Sequence, residues 1–429
     1  MSFFLVRQTV TAALTANALR PQLRNQRAGV PSFAAGWLFG ETAPQMLALT
    51  ALDAATHLTK KRRKGFRAKA GLALAGASAL GLAHMVKQSR QMKDGFEDAL
   101  VEGLGVDYVE QLDAAPDPAD LATPWRKMAR PFDFADEGVR VISNLPYSEA
   151  GKRGYLDIYL PAGEDVIKDA PVLLQVHGGA WTYGAKEHQG RPLMNQMAAK
   201  GWVCVAINYR LSPRDPWPAH IIDVKRAIAW IKDNIADYGG NPDYLAITGG
   251  SAGGHLTALA ALTPNDPAYQ PGFEDADTTV QAAVPFYGIY DFAGSTGLRN
   301  AIGMRDGFLS PKVMNTTWKA EPDVYEAASP ILRITPEAPD FFVIHGELDS
   351  LVAVDQARMF TEALRRESRK SVTYAELPGA QHAFDVFHSI RSAYAVKAVD
   401  RWLTWHWNTW RHGLEADSGV EPEQISDAS

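Results

Sequence analysis

Six short apolar runs, spaced by helical patterns, do most to limit what this chain can fold into. Val172–Val176, Val203–Ile207, Leu245–Thr248, Ala282–Phe286, Phe341–Ile344 and Val372–Leu377 are each four to six residues long. Most lead through a Gly/Pro-containing loop into a helical pattern such as DVKRAIAWIKDN (Asp223–Asn234). Runs with almost no polar alternation imply strands buried on both faces, hence a mostly parallel sheet with helices on each side. The expectation is an α/β fold, and ligands in such sheets collect beyond the carboxyl ends of the strands. With 429 residues, 46% of them hydrophobic, the chain can bury a sizeable core.

One strand end carries TGGSAGGHL (Thr248–Leu256), a serine among four glycines. Gly249-Gly250-Ser251-Ala252-Gly253 fits G-x-S-x-G, with a strand before it and a helix after it. Such a turn projects the serine hydroxyl over the sheet edge, and its glycines let strand and helix approach closely. A phosphate-cradling turn is the alternative, but neither G-x-x-x-x-G-K-[ST] nor G-x-G-x-x-G spacing is present. Ser251 therefore reads as a nucleophile, which requires a base.

Of eleven histidines, His382 in PGAQHAF (Pro378–Phe384) lies in a loop after the last expected strand. His177 and His345 precede glycines at strand ends and read as structural hydrogen-bonders. His57, His84, His406 and His412 fall in helical regions. The imidazole needs a carboxylate to fix its tautomer. FFVIHGELDSLV (Phe341–Val352) supplies Asp349, with Glu347 and Asp355 as competitors. The chain order Ser251, Asp349, His382 is that of an α/β-hydrolase triad. Donors for an oxyanion are expected from Gly179 and Ala180 in QVHGGAWTYG (Gln175–Gly184) and from Ala252. His177, Gly178, Gly249 and Gly253 support that loop and the turn.

With these pieces in order, the stretch from about Tyr155 to about Trp407 resembles the hormone-sensitive-lipase-like branch of the α/β-hydrolases. HGGAW (177–181), NYRLSP (208–213), GGSAGG (249–254), HGELD (345–349) and QHAF (381–384) carry the resemblance. It implies a serine carboxylic-ester hydrolase, an esterase or lipase, working through an acyl-serine intermediate without a cofactor. Two positions depart from the pattern. Ala180 stands where a third glycine is usual, and Gly250 where an acidic residue commonly precedes the nucleophile. In Gly250, Trp181 and His255 the chain is also similar to arylformamidases and prenylcysteine methylesterases, which keeps an amidase or methylesterase in view.

Composition narrows the partners. A formal net charge of −6 gives no reason to expect nucleic-acid binding. The single cysteine, Cys204, rules out an internal disulfide and reads as a buried small hydrophobe. No Cys/His/carboxylate cluster has metal-ligand spacing, so no metal is expected. The partner is a small acyl ester or lipid; the oligomeric state is not legible.

Four regions are expected: an N-terminal helical hairpin (1–110), a linker and cap (111–135), the catalytic domain (136–412) with a cap insertion near 292–330, and a disordered acidic tail (413–429). In the hairpin, two apolar segments, Phe33–Leu58 and Ala70–Val86, flank the basic block KKRRKGFRAK (Lys60–Lys69). The second has no formal charge over 17 residues, near the lower limit for a span. Residues 33–86 therefore read as a membrane anchor, placing the protein at a membrane or in the cell envelope, with the basic loop cytoplasmic. A basic hairpin of this kind is similar to that of membrane-associated esterases of actinobacteria. A soluble hairpin docked on a cytoplasmic enzyme is the alternative. Ala73, Ala77 and Gly81 form a small-residue stripe suited to close helix contact. Trp181, Trp217, Phe292 and Phe384 are pocket or core candidates, and the Trp-rich helix Tyr394–Trp410 points its rings in several directions.

Overall fold

The computed structural model describes residues 3–21, 26–59, 65–116, 122–163 and 167–418. Lys60–Lys64 of the basic block, residues 117–121 of the linker and residues 419–429 of the expected tail lie outside the described residues.

Among the described residues, eight strands form one sheet: β1 (Val139–Pro146), β2 (Tyr155–Pro161), β3 (Ala170–Val176), β4 (Val203–Ile207), β5 (Gly240–Gly250), β6 (Ala282–Phe286), β7 (Asp340–Gly346) and β8 (Val372–Leu377). Their spatial order is β1-β2-β4-β3-β5-β6-β7-β8. The six expected strands are β3 to β8, parallel to one another throughout. Two further strands, β1 and β2, join antiparallel at one edge beside β4. Their sequences hid them: β1 is half exposed and polar at several positions, and Asp157 interrupts β2.

Alternate residues of the central strands feed two separate cores, as the period of a strand requires. Val172, Leu174, Val176, Val205 and Ile207 face one core; Leu173, Cys204, Ala206 and Ala246 face the other. The N-terminal helices are α1 (Phe3–Leu19), α2 (Gln26–Glu41), α3 (Ala43–Thr59) and α4 (Phe66–Leu104). The short α5 (Trp125–Ala129), then α6 (Arg191–Ala199), α7 (Ala219–Asn234) and α8 (Ala252–Leu262) follow. Next come α9 (Arg299–Met304), α10 (Pro322–Ala327), α11 (Asp355–Glu367) and α12 (Ile390–Ser418). Ile221, Val224 and Ile228 of α7, Leu256 and Leu259 of α8 and Phe360 and Leu364 of α11 cover the first core. Leu193, Met194 and Met197 of α6 with Val399, Trp402 and Leu403 of α12 cover the second.

The N-terminal region departs from a simple hairpin. The apolar segment 33–58 is split between α2 and α3 at Thr42, so neither helix exceeds 17 residues. Among the described residues, only α4 is long and apolar enough to cross a membrane. Its C-terminal half does something else: Met92, Phe96, Ala99 and Leu100 recur on one face and complete the second core. Each large side chain so buried stabilises by about 1.5–3 kcal/mol. The buried stripe of the N-terminal half is Gly71, Ala75, Ser78, Leu82 and Met85, while Ala73 and Ala77 are exposed. The expected small-residue stripe is thus offset, and only its Gly81 lies against α1, close to the Thr15 methyl. Arg7 of α1 and Asp53 of α3 pair with each other, Arg7 Nη2 reaching Asp53 Oδ1 at 2.6 Å.

At the other end α12 continues to Ser418, into the stretch read as tail from residue 413. Its tryptophans are packing residues. Trp402 is fully buried and donates to Thr373 Oγ1 at 3.0 Å, Trp405 donates to Gln111 Oε1 at 2.7 Å, and Trp407 and Trp410 pack on Tyr244.

Two α4 glycines should respond oppositely to the same change. A Cβ on Gly103 would stand 2.8 Å from Thr373 Cα, whereas Gly76 has open space around it. Gly103→Ala is expected to destabilise by about 1–3 kcal/mol through overpacking. Gly76→Ala should stabilise by up to about 1 kcal/mol through helix propensity. Urea unfolding midpoints of the two variants, moving in opposite directions, are the check.

Candidate active site

The turn that carries Ser251 is shaped by what surrounds its glycines. Val176 of β3 pairs with Gly249 of β5, and Gly250 pairs with Phe286 of β6. A Cβ on Gly249 would lie 2.5 Å from the Val176 carbonyl oxygen, and one on Gly253 only 2.1 Å from it. Any side chain there would push the strand and α8 apart. Ser251 between them has φ 59 and ψ −121, a left-handed backbone that a serine adopts at a cost of order 1–3 kcal/mol. Its N–H donates to the Phe286 carbonyl at 3.0 Å, and its own carbonyl accepts from His255 N at 2.9 Å. The strained turn is thereby tied to β6 on one side and α8 on the other.

His382 and Asp349 lie on neighbouring loops beyond β8 and β7. His382 Nδ1 is 2.6 Å from Asp349 Oδ2, and both side chains are buried. Asp349 Oδ1 accepts from Leu351 N at 2.9 Å and Val352 N at 2.8 Å. His345, the expected structural histidine, stands 3.3 Å from Asp349 Oδ2 and 2.9 Å from the Val352 carbonyl. Burial alone would raise the Asp349 pKa. The charge of His382 and hydrogen bonds from His345 and His382 outweigh burial and hold it well below the usual carboxylate range. The two competitors lie elsewhere: Glu347 accepts from Gly379 N at 3.0 Å, and Asp355 is exposed beside Arg358.

On the opposite side of the turn, the loop after β3 passes close to the serine. A Cβ on Gly178 would sit 2.6 Å from the Gly250 carbonyl oxygen and 3.2 Å from Ser251 Cβ. Gly179, Ala180 and Trp181 all have positive φ, at 120, 50 and 57. Gly178 N is used, donating to Gln189 Oε1 at 2.7 Å. Among the described residues, no backbone hydrogen bond of this loop engages the N–H of Gly179 or Ala180. Ala252 is the first residue of α8, where an N–H has no intrahelical partner. His177 supports the loop: its ring stacks on Tyr209 at 4.3 Å, and Tyr209 Oη donates to the His177 carbonyl at 2.9 Å. Ser212 N holds the Trp181 carbonyl at 2.9 Å, so NYRLSP buttresses the loop from behind.

Three parts of the site escaped the sequence reading. Tyr287, just past β6, packs its ring 4.5 Å from His382 and donates its hydroxyl to Asp385. Burial raises the pKa of Asp385. A Cβ on Gly250 would stand 2.5 Å from the Tyr287 hydroxyl, so here a tyrosine occupies the space beside the residue before the nucleophile. That accounts for the departure at Gly250. Gln381 is the second part, its Oε1 accepting from Ser350 N at 2.9 Å and from His382 N at 3.1 Å. The third is Phe33 of α2, edge-on to His382 at 5.9 Å.

The aromatic candidates form the core behind the loop after β3. Trp181, Trp217, His255 and Phe292 are all buried and pack together, with His255 stacked on Phe292 at 4.1 Å. Phe384 is buried against Phe286 and Tyr287. The 292–330 insertion, with α9, a π-helical turn (Arg305–Met314) and α10, packs onto the supporting segment, where Trp217 N donates to the Val313 carbonyl at 2.9 Å.

Comparison with known proteins places these features. Residues 156–364 match the BD-FAE family model. The chain is 45% identical over 423 residues to a probable carboxylic ester hydrolase, LipM, of Mycobacterium tuberculosis, covering 97% of this chain and 96% of that one. Esterase LipQ of the same organism is 52% identical, over 61% of each chain. An isoprenylcysteine alpha-carbonyl methylesterase of Arabidopsis thaliana is 27% identical over 51% of each. In fold, the chain is similar to esterase B of Lactobacillus rhamnosis, with a TM-score of 0.53 at 17% identity, covering 66% of this chain and 91% of that one.

Asp349→Asn is expected to leave the chain folded while lowering kcat about 10⁴-fold, because the imidazole loses its tautomer control. A loss under tenfold removes Asp349 from the site. Acid should weaken the whole region. Burial pushes the pKa of His177 down to about 4 and those of His220 and His255 down to about 3. Unfolded histidines take up protons near pH 6.5, so the unfolded state binds more protons below that value and stability falls. Asp349, with its depressed pKa, adds a further loss below the ordinary carboxylate value of about 4. Urea midpoints measured from pH 8 to pH 4 should decline below about pH 6.5; a flat profile refutes the assignment of these histidines as buried and neutral.

Proposed function

Since this chain belongs to the hormone-sensitive-lipase-like esterase/lipase family of α/β-hydrolases, we propose that it cleaves esters through an acyl-serine intermediate built by Ser251, His382 and Asp349. Carboxylic ester hydrolysis is the activity of the class; the residue roles are our reading. The observation that carries it is the 2.6 Å contact between His382 Nδ1 and Asp349 Oδ2. With Nδ1 so engaged, Nε2 is the nitrogen left to take the proton of Ser251 as its oxygen attacks the acyl carbon. The N–H groups of Gly179, Ala180 and Ala252 receive the developing oxyanion, each such donor contributing about 3 kcal/mol. His382 then returns the proton to the departing alcohol, and water repeats the sequence on the acyl-serine to release the acid. No step calls for a metal or a cofactor.

The substrate is an acyl ester of apolar character, met at a membrane surface. Supporting this, the N-terminal helices leave Leu49 and Leu52 of α3 and Phe66 and Leu80 of α4 more than half exposed. The basic run 60–69 spans the α3–α4 connection and the first residues of α4 in sequence. Exposed apolar side chains that flank a basic run in sequence suit an anionic bilayer. A methylesterase acting on a prenylated cysteine is a second reading, favoured by the likeness to the isoprenylcysteine methylesterase. An amidase of the arylformamidase type stays the remaining alternative, and a formamide substrate separates it from the esterase.

Hydrolysis of p-nitrophenyl esters of increasing chain length, compared with Ser251→Ala, tests the chemistry. The wild type should release a burst of about one p-nitrophenol per enzyme. The variant should lose at least about 10⁴-fold in kcat. Equal activity in the variant sinks the nucleophile. Flotation with phosphatidylserine vesicles tests the surface: binding should fall at least tenfold in the triple variant Leu49→Glu, Leu52→Glu, Leu80→Glu, and unchanged flotation refutes it.

A further inference from the structure

One face of α2 runs along the loops that carry two members of the triad. Ser350, next to Asp349, places its Oγ 3.4 Å from the Gly29 carbonyl. One turn on, Phe33 is edge-on to the His382 ring at 5.9 Å. A Cβ on Gly36 would meet the Gln381 side chain at 3.5 Å, so the helix backbone lies directly against Gln381. Trp37 Nε1 donates to the Ala383 carbonyl at 2.7 Å. At the end of α2, Glu41 accepts from Ser389 Oγ at 2.7 Å and from Arg391 Nη1 at 3.0 Å. Positions 29, 33, 36–37 and 41 recur at helical spacing, so a single stripe makes all these contacts.

The loop it grips needs an external hold. Ala383, directly after His382, has φ 59, a left-handed backbone that an alanine does not keep by itself. Trp37 holds the carbonyl of that residue and packs its ring on Phe387 at 5.2 Å. Glu41 and Arg391 are both fully buried, and Ser389 and Arg391 mark the point where the loop enters α12. The loop is therefore clamped just after the imidazole and again at its far end.

We propose that Trp37 and Glu41 are positioning residues for ester hydrolysis, holding the His382 loop in register with Ser251 from a helix outside the catalytic sheet. The proposal rests on the triad reading above. Neither residue touches substrate; both act through the imidazole. A small misplacement of a catalytic base is enough to slow a reaction by as much as 10²-fold. The groups that face His382 are Asp349, Tyr287 with its partner Asp385, and Phe33. Of these, only Phe33 belongs to α2.

Trp37→Phe removes the indole N–H and keeps an aromatic ring on Phe387. Glu41→Gln removes the charge and keeps the shape. Rates on a p-nitrophenyl ester are measured with the full chain and normalised to the p-nitrophenol burst, which counts competent sites. For each variant kcat per site should fall about tenfold with KM within twofold. A merely structural role would lower the number of sites and leave kcat per site unchanged; that result overturns the proposal. Ser251→Ala is run alongside. If it retains activity, the triad reading itself has failed; if it is inactive while both α2 variants keep wild-type kcat per site, only the positioning role has.

Discussion

The approach of β5 and α8 to the carbonyl of Val176 is the constraint on which the site depends. Two glycines, Gly249 and Gly253, lie within 2.5 Å of that oxygen at their absent Cβ positions. No other residue type permits the contact. It sets where Ser251 leaves the sheet, and it brings the turn under the loop that follows the same β3 strand. Ser251 and the Gly179–Ala180 loop are thus fixed relative to each other through one strand pair, β3 with β5, whose register aligns Val176 with Gly249. The positive φ of Ser251, Ala180 and Trp181 is backbone strain on either side of this junction. Sheet hydrogen bonds and the buried aromatic cluster behind the loop offset it.

The electrostatics of the site turn on burial. A lone carboxylate as buried as Asp349 would take up a proton. Two backbone N–H donors, His345 and His382 keep it ionised. Asp385 accepts from the Tyr287 hydroxyl, but burial outweighs that bond and the nearby His382, and its pKa moves up instead. Two aspartates near one imidazole are therefore driven in opposite directions, and only the one with fixed donors offers a permanent charge to His382. That difference is what distinguishes Asp349 from the carboxylates around it.

What the sequence disclosed follows from where its residues have no freedom. GGSAGG, HGGAW, HGELD and QHAF could be located because glycine at a close approach, or a histidine at a strand end, has few alternative uses. The six inner strands were legible because both their faces are buried. Edge strands β1 and β2 were not, since one polar face and Asp157 blur the pattern. Tyr287 and Phe33 carry no local signature, and QHAF does not disclose what Gln381 holds; their roles depend on which loops the fold brings together. In the N-terminal region, hydropathy marked an apolar segment but could not see the break at Thr42 or the pairing of Arg7 with Asp53. The offset of the buried stripe on α4 has the same origin, because several faces of an Ala/Gly-rich helix look alike until a partner helix selects one.

The N-terminal helices answer to two demands at once. Their inner faces pack as a soluble core does: α4 completes the sheet's second core, and α2 lies along the Asp349 and His382 loops with a buried ion pair at its end. An ion pair so placed contributes little net stability, since the desolvation of both charges offsets their attraction. What it does contribute is selectivity of docking, because any other seating of α2 leaves Arg391 or Glu41 buried alone. Their outer faces expose Leu49, Leu52, Phe66 and Leu80, so apolar packing within the chain covers only one side of this helix group.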